Sequence, residues 1–329
     1  YLKRLNRRAE ELLSATLEPL TLWAPDEDLQ LAYLEVLWKQ LLANQPHDSI
    51  GGCSVDQVHR ANVSRYEELI SGAERYIHDI TRRLLDSHAG EFQPWLTVWN
   101  LLPWEEAAMP VEAVINIPAS SDRGAVALYH GDKSLELDVL ERWEHDGFYS
   151  EMEAQPNWVP SVAYRVLLAF PFGGMEAKSL RIEPREPRAL EAPSTTTPAA
   201  PGEGVGATIA GDRLSLTLGP DGSARLTDLR SGATVEDALA LIFEDDHGDS
   251  YTAVPANPRR LALAELGEAL HGRHQSILRL RYAAEDGSEI RLQCSLRRGE
   301  PFLRLRAEVE NRSENRRYQL RVRLPGAAA

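Results

Sequence analysis

The hydrophobic period changes once along this chain, and that change constrains its fold more than any single motif. Up to about residue 90, apolar residues recur every three or four positions. Leu2, Leu5, Ala9 and Leu12 make one such run, and Leu31, Leu34, Trp38, Leu41 and Leu42 a second. A longer third run passes through Val55, Val58, Asn62, Tyr66, Leu69, Ala73, Ile77, Ile80 and Leu84. Such spacing lays one apolar stripe along a helix. Pro46 ends the second helix, while Ser54 with Gln57 reads as a capping box opening the third, with Asp56 in its positive first turn. Three amphipathic helices with short connections predict an antiparallel three-helix bundle over residues 1–90.

Beyond Gly90 the period drops to two. Leu96/Val98, Val111/Ala113/Ile115, Ala125/Ala127 and Leu135/Leu137 alternate with polar neighbours, and Gly131-Asp132 and Asp146-Gly147 read as turns. A small β-domain is expected over 91–183. Residues 184–206 are dominated by Pro, Ala, Thr, Gly and Glu and read as a linker or exposed loop. Alternation then returns in Leu214/Leu216/Leu218, Leu278/Leu280/Tyr282, Ile290/Leu292/Cys294/Leu296, Leu303/Leu305/Ala307/Val309 and Leu320/Val322/Leu324. Two-faced strands of this kind belong to an antiparallel sandwich. The fold class expected is therefore α+β multidomain: the helical bundle, then β-sandwich domains, with residues 207–329 the start of a large, incomplete sandwich. A sheet left open has an edge on which copies can associate into a homo-oligomer.

Charge and cysteine content exclude several functions. The chain has 329 residues and a net charge of −14, which opposes binding to a phosphate backbone, so no nucleic-acid partner is expected. No apolar run approaches the roughly 18 residues of a membrane span. Cys53 and Cys294 lie far apart without a Cys-x-x-Cys, which excludes a disulfide framework or zinc ribbon and suits a reducing, cytoplasmic compartment. The chain opens at Tyr1 inside a helical pattern, with neither an initiator Met nor a signal peptide, as a piece of a longer protein would.

The stretch Asn44-Gln45-Pro46-His47-Asp48-Ser49-Ile50-Gly51-Gly52-Cys53-Ser54 carries the most chemical information. It sets an imidazole beside a carboxylate on a non-helical turn between two helices, ahead of two glycines. A neutral imidazole ligates zinc, and the neighbouring Asp can orient it, bind metal or accept from a sugar hydroxyl. On the residues alone, an ordinary polar turn with Asp48 accepting backbone N–H groups explains the pattern equally well. One His supplies only one of the about three or four ligands that zinc takes. His78-Asp79, with His47-Asp48 and His59, offers a rival, a helical His/Asp metal phosphohydrolase, although Ile77 and Ile80 place that pair on a solvated helix face. The oxygen-rich run Glu244 to Asp249 lacks the spacing of an EF-hand loop and reads as an acidic loop. Cys53 reads as a small buried packing residue.

The wording of that turn resembles glycoside hydrolase family 38, the α-mannosidases, and most resembles the bacterial mannosylglycerate-hydrolase branch. Lysosomal and Golgi members usually carry a second His where Pro46 stands. Further segments match in order along the chain. Val98-Trp99-Asn100-Leu101-Leu102-Pro103-Trp104 is similar to the family's Phe-Asn-Pro-Leu-Pro-Trp, with Leu101 for Pro. Val159-Pro160 with Tyr164-Arg165 is similar to Val-Pro-x-x-Gly-Tyr-Arg, with Ala163 for Gly. Asp221-Gly222 to Gly232, Gly248-Asp249-Ser250-Tyr251 (for Gly-Asp-Glu-Tyr) and Asn311-Arg312 follow. The resemblance implies a retaining exo-α-mannosidase in which zinc holds the C2 and C3 hydroxyls of a terminal mannose. It implies His47 as a zinc ligand, Asp48 as acceptor from a mannose hydroxyl, and Tyr251 as a substrate contact. The remaining ligands, the nucleophile and the acid/base sit on an N-terminal barrel that this sequence does not contain, so no catalytic residue is assigned here. The α-mannoside could be mannosylglycerate. Retaining hydrolysis needs two carboxyls roughly 5–5.5 Å apart, so the chain alone is expected to fold without cleaving glycosides. The alternative of another class is a non-catalytic carbohydrate-binding or scaffold region.

Overall fold

The computed structural model describes residues 1–23, 27–85, 95–149, 157–187, 194–196, 206–249 and 252–323. Tyr251 and most of the expected linker 184–206 lie outside them. The chain divides into two compact units, one of Tyr1–Glu106 with Phe172–Ser179, the other of Ala107–Pro171 with Leu180–Ala329.

The first unit is mainly helical. Its opening helix runs as α1 (Leu2–Glu10), a π-helical stretch Glu11–Leu17, and α2 (Glu18–Thr21). The π stretch has a local cause. Pro19 donates no N–H, and its ring would press on the carbonyl four residues back, so the helix widens just before it. After α3 (Glu27–Ala43) and the short α4 (His47–Gly51), α5 (Asp56–Leu85) spans 30 residues. These helices share one core, in which Leu13, Leu17, Leu37, Tyr66, Leu69 and Ala73 are buried. The apolar run on α3 is only partly inward. Leu34, Leu37 and Leu41 are buried while Leu31 and Leu42 are exposed, because Leu42 lies about 100° around the helix from Leu41. Trp23 meets Trp99 edge to face at 5.2 Å, which ties the opening helix to the strand Trp95–Asn100. At the end of that strand, buried Asn100 donates to the carbonyls of Trp104 (3.0 Å) and Gly173 (2.8 Å) and accepts from Leu102 N–H. Gly174 is required there, since a Cβ would lie 2.3 Å from Pro103 O.

The second unit is built of antiparallel sheets. A five-stranded sheet runs in the order Arg304–Glu310, Glu289–Arg297, Gln275–Ala283, Leu263–His271, Ser194–Thr196. A four-stranded sheet holds Ala207–Ala210, Leu214–Leu218, Ala224–Asp228 and Thr234–Val235. A third sheet pairs Leu239–Asp246 with Pro255–Arg260 and Arg316–Val322. Their inward residues meet in one core. Ile209, Leu216 and Leu218 come from the second sheet, Leu241 and Phe243 from the third, and Leu278, Leu280, Leu292 and Cys294 from the first. Register puts Leu278 opposite Cys294 and Leu280 opposite Leu292, so the alternation in the sequence sends these inward and Arg279, Arg281 and Arg291 outward. Two sheet faces closing on one apolar layer make a sandwich. The turn motifs lock its hairpins. Asp221 accepts from Ser223 N–H and Asp228 from the N–H groups of Arg230 and Ser231, while Gly222 and Gly232 take positive φ.

A further sheet in this unit joins Glu106–Pro118, Asn157–Phe172 and Asp138–Tyr149. Two carboxylates fix its surroundings. Asp138 accepts from three successive backbone N–H groups, those of Arg273 (2.6 Å), His274 (2.7 Å) and Gln275 (3.2 Å). Asp122 accepts from the Tyr164 hydroxyl, from Arg142 at 2.6 Å, and from Gly124 N–H at 3.2 Å. Burial works to raise the Asp122 pKa, but these donors outweigh it and hold the carboxyl below the usual carboxylate range. Burial, reinforced by Asp122, pushes the Tyr164 phenol up.

Asp138→Ala, which orphans three N–H groups, is expected to cost about 1.5–3 kcal/mol, read as a lower urea midpoint at unchanged slope. Asp122 contributes stability that is full above the unfolded Asp value of about 3.9 and fades as pH falls through its depressed folded value. The stability gap between the native protein and Asp122→Asn, from urea midpoints across an acid series, is therefore expected to narrow below about pH 4. A gap that ignores pH would remove the linkage.

Candidate functional site: the turn between α3 and α5

The turn is a short helix, not the non-helical segment the sequence suggested. Pro46 ends α3, and its fixed φ of −49° also starts α4, with its carbonyl accepting from Ser49 and Ile50 N–H at 2.8 and 3.1 Å. Gly52 closes α4 in the left-handed conformation at φ 77°. The Asp48 carbonyl then accepts from Cys53 N–H (3.2 Å) and from the Ser54 hydroxyl (3.0 Å). Ser54 thus spends its hydroxyl on α4, where the sequence suggested a capping box for α5.

Two halves of the motif face opposite ways. Asn44 is 1 % exposed. Its amide donates to Asn62 O at 3.1 Å, and its oxygen accepts from Arg65, which also reaches Asn62 Oδ1. Gln45 donates to Asn6 Oδ1 at 2.6 Å, and the same oxygen accepts from the Tyr66 hydroxyl at 3.1 Å. Burial pushes the Tyr66 phenol up. Asn44 and Gln45 therefore pin the turn to α1 and α5. His47 and Asp48 stand clear of it, with side chains 92 % and 67 % exposed. Their Nδ1 and Oδ1 are 2.9 Å apart. With the proton on Nδ1, the ring donates to Asp48 and keeps the Nε2 lone pair free to face outward. Cys53 is exposed, not buried as expected, because the turn at Gly52 carries it to the surface with Sγ 3.5 Å from Asp48 Oδ1.

The other sequence candidates do not join this pair. His78 and Asp79 are exposed on α5, and among the described residues no three His, Cys, Asp or Glu side chains lie together as a metal site. The donors here fit one imidazole and one carboxylate of a zinc site, and no more. In the acidic run, Glu244 is buried against Arg317 (2.9 Å) and Gln319 (2.5 Å), and Asp245 pairs with Arg316. Asp246 accepts from Val254 and Gly248 N–H, and these bonds hold its carboxyl below the usual range. Gly248 is required, since a Cβ would lie 1.9 Å from Thr252 O. Those oxygens are thus committed within the fold. The scaffold residues Asn6, Arg65 and Tyr66 were not assigned from sequence. Their signal was Asn62, a polar residue at a core position of the α5 stripe, which marks a buried hydrogen-bond network.

Residues 1–84, which include this turn, match the family of the alpha mannosidase middle domain. That match covers 84 of the chain's 329 residues. A Halalkalibacterium halodurans protein named "Putative mannosylglycerate hydrolase" is 44 % identical over 77 residues, 23 % of this chain and 9 % of that protein. Two Enterococcus faecalis crystal structures share the fold along 97 % of this chain at a TM-score of 0.74. One is of an alpha-mannosidase (17 % identity, 42 % of that chain) and the other of a glycosyl hydrolase family 38 protein (18 % identity, 44 % of that chain). The chain spans less than half the length of the structures it resembles.

Stability separates the two halves of the turn. Asn44→Ala is expected to cost about 1–3 kcal/mol by orphaning buried polar groups, and His47→Ala to stay within about 0.5 kcal/mol of the native protein. Thermal unfolding followed by circular dichroism checks both.

Proposed function

We propose that this chain is the middle and C-terminal part of a zinc-dependent retaining α-mannosidase acting on terminal α-mannosides, mannosylglycerate among them. The observation that carries this reading is the exposed His47–Asp48 pair on a rigidly pinned turn. A side chain built only for packing would not be held outward by a buried amide network. His47 serves as one zinc ligand through Nε2. Asp48 orients the ring through one oxygen and keeps the other for a mannose hydroxyl. Bound zinc supplies a fixed positive centre for the sugar's vicinal hydroxyls. The nucleophile, the acid/base and the other metal ligands come from a barrel outside this sequence. Tyr251, by its resemblance to the family's Gly-Asp-Glu-Tyr segment, contributes a substrate contact.

In the full-length protein, His47→Ala is expected to lower both bound zinc and kcat/KM for an aryl α-mannoside by more than about 100-fold, beyond the 10–100-fold of a residue that only orients a ligand. The 329-residue chain alone is expected to show no turnover. A full-length His47→Ala variant with native zinc content and activity would remove His47 from the metal site, and turnover by the isolated chain would remove the need for the barrel.

A further inference from the structure

The outward face of the five-stranded sheet holds a groove of about 1050 Å³. Seven arginines and four glutamates line it, a local excess of positive charge in a chain of net charge −14. The strand register sorts these residues into rows. In one row Arg281 stands opposite Arg291, and carboxylates flank the pair: Glu265 opposite Arg281 and Glu308 opposite Arg291. Like charges directly opposite repel, and the acids offset this, with Arg281 at 2.9 Å from Glu265 and 3.3 Å from Glu289. Nearby, Arg297 reaches Glu112 at 2.5 Å. The floor is the buried pair Ile277 and Ser295.

The row between them is different. Arg279 stands opposite Gln293, and Gln293 opposite Arg306, with no carboxylate among the three. Arg279 is exposed and makes no ion pair within 4 Å among the described residues. Among the described residues Arg306 pairs only with Glu308, at 2.9 Å on its own strand, with both side chains largely exposed. An exposed pair of that kind is worth little and opens readily. On the far side of Arg279 the neighbouring strand bulges, so that Gly267 and the exposed Glu268 share the position opposite it, and only Gly267, whose Cβ would lie 2.7 Å from Arg279 O, lines the groove. Arg279 and Arg306 are two strands apart, about 10 Å between backbones, a distance their long guanidinium arms close from both sides of the Gln293 amide.

We propose that Arg279, Gln293 and Arg306 form a binding site for a small molecule carrying two or more oxyanion groups, phosphate or carboxylate. Planar guanidinium forks bind either group in bidentate fashion, and the amide N–H₂ between them adds a neutral donor. Small ligands are selected over long polyanions because the field of the whole acidic chain opposes the latter. The site lies wholly within the unit that does not contain His47.

Titration calorimetry of the 329-residue chain with inorganic pyrophosphate and with citrate tests it, with mannose as the neutral comparison. Saturable binding of pyrophosphate, citrate or both is expected, and which of them binds identifies the anion class. Arg279→Ala and Arg306→Ala are each expected to weaken binding about 10–100-fold, the loss of a charge-assisted hydrogen bond. Arg298→Ala, an exposed arginine outside the groove, is expected to leave binding unchanged. Gln293→Glu, which places a carboxylate between the two arginines, is expected to abolish it and serves where an arginine variant misfolds. No saturable binding of either anion, undiminished binding by the Arg279→Ala and Arg306→Ala variants, or an equal loss in Arg298→Ala would overturn the proposal.

Discussion

A single buried amide holds the turn that carries His47 and Asp48 in place. Asn44 ends α3 inside the core, where an unpaired amide would be costly, and it satisfies both ends by bridging Asn62 O and Arg65. That requirement fixes where α3 stops relative to α5. Once it is fixed, Pro46 and Gly52 leave the chain one short helical turn to cross between them. His47 and Asp48 then have nowhere to point but outward. Positioning of this kind is stiffer than a loop held by its own turn residues, since moving the turn means opening a buried network.

Periodicity revealed the architecture because burial and period are one constraint. The alternation in Leu278/Leu280/Tyr282 and Ile290/Leu292/Cys294 predicts two strands, and the register pairs these residues in the sandwich core. The same logic weakened where an element is only half covered. Ala307 and Val309 keep the alternation, yet they are exposed on the outer strand Arg304–Glu310. Val55 and Val58 are likewise exposed at the start of α5. An apolar residue in the right phase marks the side of an element that can be buried; whether a neighbour covers it is a tertiary fact.

The candidate site was legible in its chemistry and not in its scaffold. A His-Asp pair ahead of two glycines announces an exposed polar turn, and the pair is exposed. The sequence could not show that the turn is helical, because Pro46 both stops one helix and suits the first turn of another. Nor could it show that Cys53 faces outward, which depends on the left-handed Gly52 directly before it. Several matched motif positions, Asn100, Gly248, Asp221 and Gly222, are accounted for by backbone hydrogen bonds and close approaches that keep turns in shape.

Charge behaves differently in the two regions where it is dense, and neither could be read from a count. The acidic run Glu244 to Asp249 resembles a cation site in composition, yet Arg316, Arg317, Gln319 and backbone N–H groups take its oxygens. A cation would have to displace those partners before gaining anything. On the outward sheet face the arrangement is reversed: arginines outnumber glutamates in the groove, and no acid stands among Arg279, Gln293 and Arg306. Net charge describes the long-range field that a partner meets first. The cross-strand register decides which charges are still unmatched when it arrives, so an acidic protein can carry a face suited to small anions without contradiction.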